Sequence, residues 1–147
     1  MGKIVSASSQ KAAAESMASA LSSMDGVSAE VSERTSGTNP RNVVSVDCAS
    51  DNWRQLAECL RVEHGVDYCS MITGIHWPDG GAEKNWEVVY HFMRMGISNP
   101  PVVDGMVQPI ITDPTTLEGT DVPLEIEVRI ALPETTDPKV ASVQDIW

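Results

Sequence analysis

Positions 124 to 132 constrain the fold more than any other stretch of the chain. Leu124, Ile126, Val128 and Ile130 alternate with Glu125, Glu127 and Arg129, the period-two pattern of a strand with one apolar and one polar face. Such a strand is stable only when a sheet completes its hydrogen bonds and a second layer covers its apolar side. A strand over Val122–Leu132, one face buried and one wet, is therefore expected.

Two helices are candidates for the covering layer. Ser50 sits where an N-cap belongs, Trp53, Leu56, Ala57 and Leu60 share one helical face, and Gly65 stands where a left-handed C-cap forms most easily. Residues 9 to 25 repeat the pattern with Ala13, Met17, Leu21 and Met24, with Ser8 or Ser9 as cap and Gly26 as stop. Between the helices, Val27–Glu33 alternates as a strand, Ser36-Gly37-Thr38-Asn39-Pro40 is turn chemistry, and Val43, Val44 and Val46 centre a second strand. The hairpin they imply has a loop that reads as longer than two residues.

Downstream, Val66–Trp77 and Trp86–Met95 flank Pro78-Asp79-Gly80-Gly81 and read as a second hairpin. Residues 96–120 hold Pro100, Pro101, Pro109 and Pro114 with little periodicity, so a long loop is expected there. The order helix-strand-strand-helix-strand-strand-strand implies an α+β fold, a two-layer sandwich with helices on one face of a mixed sheet. The 147 residues fit a single domain, ending in an apolar tail over 140–147.

Composition narrows the function classes. A net charge of -11 without a compensating Lys/Arg cluster argues against a nucleic-acid partner. Three cysteines, Cys48, Cys59 and Cys69, and a start without a hydrophobic signal segment imply a reducing, intracellular location. No run approaches the roughly 18 apolar residues of a spanning helix, so any membrane association is expected through partners. Gly2 and Ser6 fit a loose myristoylation pattern that is read as coincidence.

The residues offer little chemistry. His64 precedes Gly65, where its cation would suit the negative end of the helix dipole; His76 flanks the Pro78 turn, and His91 lies in a strand where its facing is open. Cys-x-x-Cys and His-x-x-x-His pairs are absent, so no metal site is expected, and three thiols are too few for a self-contained iron–sulfur cluster. Neither G-x-G-x-x-G nor a P-loop occurs, and Gly80-Gly81 joins two strands. Glu125 and Glu127 lie on the polar alternation, where solvation or a salt bridge to Arg129 is the default. Trp53 and Trp86 read as core anchors. No catalytic or cofactor-binding residue is therefore assigned. Val140, Val143, Ile146 and Trp147 read as a docking tail for another protein.

Four segments, in order, resemble a known family: Asp51-Asn52-Trp53-Arg54-Gln55-Leu56, Gly65-Val66-Asp67-Tyr68, Trp86-Glu87-Val88-Val89-Tyr90-His91, and Asp137-Pro138-Lys139-Val140-Ala141-Ser142-Val143 before Ile146-Trp147. Together they are similar to the C-subunit family of NADH:quinone oxidoreductase, complex I, over residues 50 to 147 with 96–120 as a gap. The family's helix beyond the Ile-Trp pair has no counterpart here, which suggests a short member or a truncated sequence. Short versions resemble those of archaeal deazaflavin-coenzyme (F420H2) dehydrogenases and membrane-bound hydrogenases.

The resemblance implies a scaffold subunit without a redox centre, on the cytoplasmic side of the membrane. Its partners would be iron–sulfur subunits and the subunit holding the pocket for a quinone-like carrier or methanophenazine, in an assembly that translocates protons. The alternative is a stand-alone ligand-binding domain or enzyme with a pocket near His76 and His91.

Overall fold

A computed structural model describes residues 7–37, 39–95, 102–107 and 122–147. The first helix, α1, spans Ala7–Ser22, and strands β1 (Val27–Ser36) and β2 (Asn39–Cys48) follow as an antiparallel pair. A short 3-10 turn at Ser50–Asn52 leads into α2 (Trp53–Val62), then β3 (Tyr68–His76) and β4 (Trp86–Arg94). Two short strands, β5 (Val102–Val103) and β6 (Met106–Val107), precede β7 (Leu124–Leu132). The main sheet has five strands in the order β1-β2-β7-β4-β3. The last of them in sequence lies at its centre, parallel to β2 and antiparallel to β4.

Both helices lie on one face, as expected for an α+β sandwich with a mixed sheet. α1 packs against β1 and β2, burying Ala14, Met17, Ala18 and Leu21. α2 turns Trp53, Leu56, Ala57 and Leu60 inward, each fully buried. The sheet answers with Val44 and Val46 from β2, Tyr90 and Phe92 from β4, and Leu124, Ile126, Val128 and Ile130 from β7.

Aromatics are scarce, with four Trp, two Tyr and one Phe, but they are concentrated. Trp53 meets Tyr90 at a ring separation of 4.4 Å and Phe92 at 6.1 Å, and Phe92 stacks on Trp147 at 4.6 Å. Large rings bury much area per residue, so this column joins α2, β4 and the C-terminus with few side chains.

The end of α2 is fixed by its backbone. Gly65 adopts the left-handed φ of +64° that commonly closes a helix, and the Val66 N–H folds back to donate to the Leu60 carbonyl at 3.0 Å. Arg94, buried on β4, secures the same corner by donating to the carbonyls of Val122 at 2.8 Å and His64 at 3.1 Å.

Four sequence expectations are corrected. The first hairpin is tight: Ser36 pairs with Asn39, so only positions 37 and 38 separate the strands, and Gly37 takes φ +65°. Pro40 belongs to β2 rather than to a turn, and is tolerated because β7 pairs only with Val43–Asp47. Ser50 opens the 3-10 turn while Asn52 occupies the N-cap of α2, without a side-chain cap bond. Within 96–120, Val102–Val103 pairs with Met106–Val107 around Asp104 and Gly105, both at positive φ, which is the hairpin-turn chemistry of Asp-Gly. Pro100, Pro101, Pro109 and Pro114, like Gly2 and Ser6, lie outside the described residues.

Truncating Phe92 removes the centre of the aromatic column, where it contacts both Trp53 and Trp147. Phe92→Ala is expected to destabilise the fold by about 3–5 kcal/mol, read as a lowered urea midpoint. A loss below about 1 kcal/mol would show that the column is not the core's anchor.

Candidate interface on the open face and edge of the sheet

The face of the sheet opposite the helices carries the polar alternates of β7 and their cross-strand neighbours. Glu127 stands between Ser45 of β2 and His91 of β4, and Arg129 between Asp47 and Val89. Glu125, nearer the start of β7, receives Arg41 Nε at 3.1 Å. The alternation implies a wet face, yet Glu127 and Glu87 are each only 2% exposed. A buried carboxylate is tolerated only where cations and donors replace its water, and here they come from β1, from β7 itself and from Lys84 just before β4.

Arg34 on β1 donates through Nη1 to Glu127 Oε2 at 2.7 Å. Arg129 donates through Nε to Glu127 Oε1 at 2.8 Å and through Nη2 to the same oxygen. His91 Nδ1 lies 3.7 Å from Glu127 Oε2. The Arg34 hydrogen bond, with Arg129 assisting and burial opposing, holds the Glu127 carboxyl down at about 2. Glu127 is thus a fixed anion at neutral pH and is unsuited to general acid or base work. Glu87 bonds Lys84 Nζ through Oε2 at 2.9 Å, while its Oε1 makes no hydrogen bond and faces Arg129 Nη1 at 3.7 Å.

Two depressions flank this network. One of about 520 Å³ is open and bordered by Lys84, Glu87, Arg129, Asp47 and Gly26. The other, about 180 Å³, touches Arg34, His91, Glu125 and Glu127. The smaller one also touches Ser70, whose hydroxyl donates to the His91 carbonyl at 3.0 Å.

The edge of the sheet at β3 is apolar and uncovered. Tyr68 and Met71 are each 53% exposed and Ile72 is 59% exposed, with Trp77 and Met95 also exposed nearby. Alternation places Met71 and Ile72 on opposite faces, so both sides of the edge strand present large side chains.

The C-terminal tail lies on the chain's own core. Val143 is buried, and Val140, Ile146 and Trp147 are partly buried against the same cluster. Trp147 Nε1 donates to the Val66 carbonyl at 3.0 Å. Arg54 forks onto Asp145 with two bonds of 2.8 Å and reaches the Ser142 carbonyl at 2.8 Å. That fork holds the Asp145 carboxyl down at about 2.

His76 and His91 do not share a pocket. His76 stacks on Trp86 at 4.0 Å and pairs with it across the strands; Trp86 and His91 lie five residues apart on β4, so alternation sends them to opposite faces. Nor does His64 act as a capping cation: burial, assisted by the positive charge of Arg94, lowers its pKa and favours neutral imidazole. The thiols are poor nucleophiles, with burial pushing Cys48 up to about 11, and burial with Glu63 pushing Cys59 to about 11. The burial of Glu87 and Glu127 escapes sequence reasoning, because alternation gives the side of a sheet and not what roofs it.

Comparison with known proteins adds three findings. The family model of the respiratory-chain NADH dehydrogenase 30 kDa subunit matches residues 46–147. Among solved structures, a trypsin-resistant fragment of Nqo5 is similar at 16% identity, covering 81% of this chain and 71% of that chain, with a TM-score of 0.47. No curated protein gives a significant match.

The Glu127 network sets an acid limit on stability. A carboxyl lowered from 4.5 to about 2 on folding contributes stability that is full above about pH 4.5 and lost as pH falls towards 2. Glu127→Gln is expected to be less stable than the parent at pH 7 and to lose that part of the pH slope in urea unfolding. An unchanged slope would show that another group sets it.

Proposed function

The chain belongs to the family of the respiratory-chain NADH dehydrogenase 30 kDa subunit, and we propose that it is a non-catalytic scaffold subunit in the peripheral arm of a complex I-like, membrane-bound, ion-pumping oxidoreductase. The observation that carries this reading is the family match over residues 46–147, which takes in the helix α2, every strand from β3 onward and the tail. The site geometry is compatible with it. The ionised groups of the open face neutralise one another.

In this reading the electrons pass through iron–sulfur clusters in neighbouring subunits to a quinone-like carrier, and this chain holds none of them. The assembly would be of the deazaflavin-coenzyme type, with methanophenazine as carrier and proton translocation in the membrane part. The chain would sit on the cytoplasmic side and touch the membrane only through its partners. No described helix is long and apolar enough to cross a bilayer.

The contacts would be made by the β3 edge and by the exposed parts of Val140, Ile146 and Trp147, with Val143 buried beneath them. β3, which among the described residues pairs only with β4 and exposes Tyr68, Met71 and Ile72, offers a sheet edge together with apolar area, the combination that strand or surface docking by a sister subunit uses. Side chains of that size are costly to leave wet as a patch.

Affinity-tagged native protein, purified in mild detergent, is expected to carry iron–sulfur subunits and integral-membrane proteins in fixed ratio, with iron in the eluate. Met71→Glu combined with Ile72→Glu is expected to reduce that recovery at least tenfold while leaving thermal unfolding within a few degrees of the parent, because exposed substitutions cost about 0.5 kcal/mol or less. Recovery of the parent protein alone, folded and free of partners, would overturn the assignment. Undiminished recovery of the double variant would remove the β3 edge from it.

A further inference from the structure

At the C-terminal end of α2, three different donor types come together. The Cys59 thiol, the Glu63 carboxylate and the His64 imidazole place their ligand atoms within 4.8 Å of one another. Sequence spacing does not announce this group. Cys59 and Glu63 are one helical turn apart and share a face, but residues five apart in a continuing helix diverge.

The helix end brings His64 back. Both the Glu63 and His64 N–H groups donate to the Cys59 carbonyl, at 2.9 and 3.2 Å, so the last turn closes over Cys59. The His64 carbonyl is then held by Arg94 at 3.1 Å, and Val66 by its bond to Leu60 at 3.0 Å. The backbone that carries all three donors is thereby fixed without any ligand.

We propose that Cys59, Glu63 and His64 form a binding site for a borderline-soft divalent cation of the Zn²⁺ class. The donor set is the argument. Thiolate, imidazole and carboxylate are the three side-chain ligands that Zn²⁺ takes, at about 2.0–2.3 Å, and a mixed set of this kind disfavours the hard ions Mg²⁺ and Ca²⁺. Cys59 Sγ already lies 3.5 Å from Glu63 Oε2 as a hydrogen-bond donor. The arriving ion replaces that proton: the S–H bond breaks, the metal–sulfur bond forms, and one proton leaves to solvent.

A cleft of about 480 Å³ opens beside the group, bordered by Met24, Gln55, Glu58, Cys59 and Glu63, and leaves room for water in the fourth coordination position. Such an ion would clamp the end of α2 at the corner where Arg94 joins β4 to the segment entering β7. The site is independent of the scaffold reading and of the proposed β3 contacts.

Cobalt(II) substitution tests the proposal on the full chain, kept reduced with a phosphine. Titration with Co²⁺ is expected to produce a thiolate-to-cobalt charge-transfer band with visible d–d bands at one equivalent, reversed by Zn²⁺. Cys59→Ser is expected to abolish the charge-transfer band, and Glu63→Gln and His64→Gln each to weaken binding by roughly tenfold or more. Cys48→Ser and Cys69→Ser are expected to leave it intact. Absence of the band in the parent protein would overturn the proposal, as would a band that survives Cys59→Ser.

Discussion

The fold depends on the insertion of β7 between β2 and β4. Every other neighbour relation in the main sheet is a hairpin: β1 with β2, and β3 with β4. Each hairpin leaves an inner edge unpaired until β7 arrives from near the end of the chain. Val43–Asp47 then pairs with Glu125–Arg129 in parallel, and Trp86–Arg94 with Leu124–Leu132 antiparallel. The strand joins two local units through contacts of long sequence separation, whose closure entropy is met only when both neighbours are present.

Glu127 is buried on the open face because long charged side chains close over it, while Glu125 and Arg129 on the same strand stay partly exposed. Arg34 reaches it from β1, Arg129 from β7 itself, and His91 stands beside it on β4. A buried ion pair of this kind is weak evidence for net stability, since desolvation offsets much of the Coulomb gain. Its larger consequence is for register. A slip of β7 by one residue would carry Glu127 into the apolar layer now filled by Ile126 and Val128 and leave Arg34 unmatched. The charged row therefore opposes the alternatives that a run of interchangeable Leu, Ile and Val would permit.

Local order is legible in the sequence where one physical signal acts alone. The apolar face of α2, its end at Gly65 and both hairpins follow from periodicity and from glycine at positive φ. Pro40 misleads because proline suggests a turn wherever pairing on both sides is assumed, and only β1 pairs there. The Val102–Val107 hairpin is hidden because its strands are too short to show alternation. Position within the sheet is not legible, because alternation in β7 is the same for an edge and a centre; with it goes the burial of Glu87 and Glu127. Cys59, Glu63 and His64 escape for a different reason, since their approach depends on how the helix ends rather than on spacing.

The tail shows why apolarity alone does not identify a partner. Val140, Val143, Ile146 and Trp147 lose water by the same physics whether the covering surface belongs to the same chain or to another. Here Phe92, Val66 and the Arg54–Asp145 fork hold the segment in place. That changes the energetics of any contact it makes. A disordered tail would have to be ordered on binding, at roughly 1–2 kcal/mol per residue for the backbone, whereas a tail already fixed by its own core meets a partner as a rigid surface. The half-buried rings and branched side chains left at that surface are therefore preorganised, and any contact they made would not be offset by the entropy of folding the segment first.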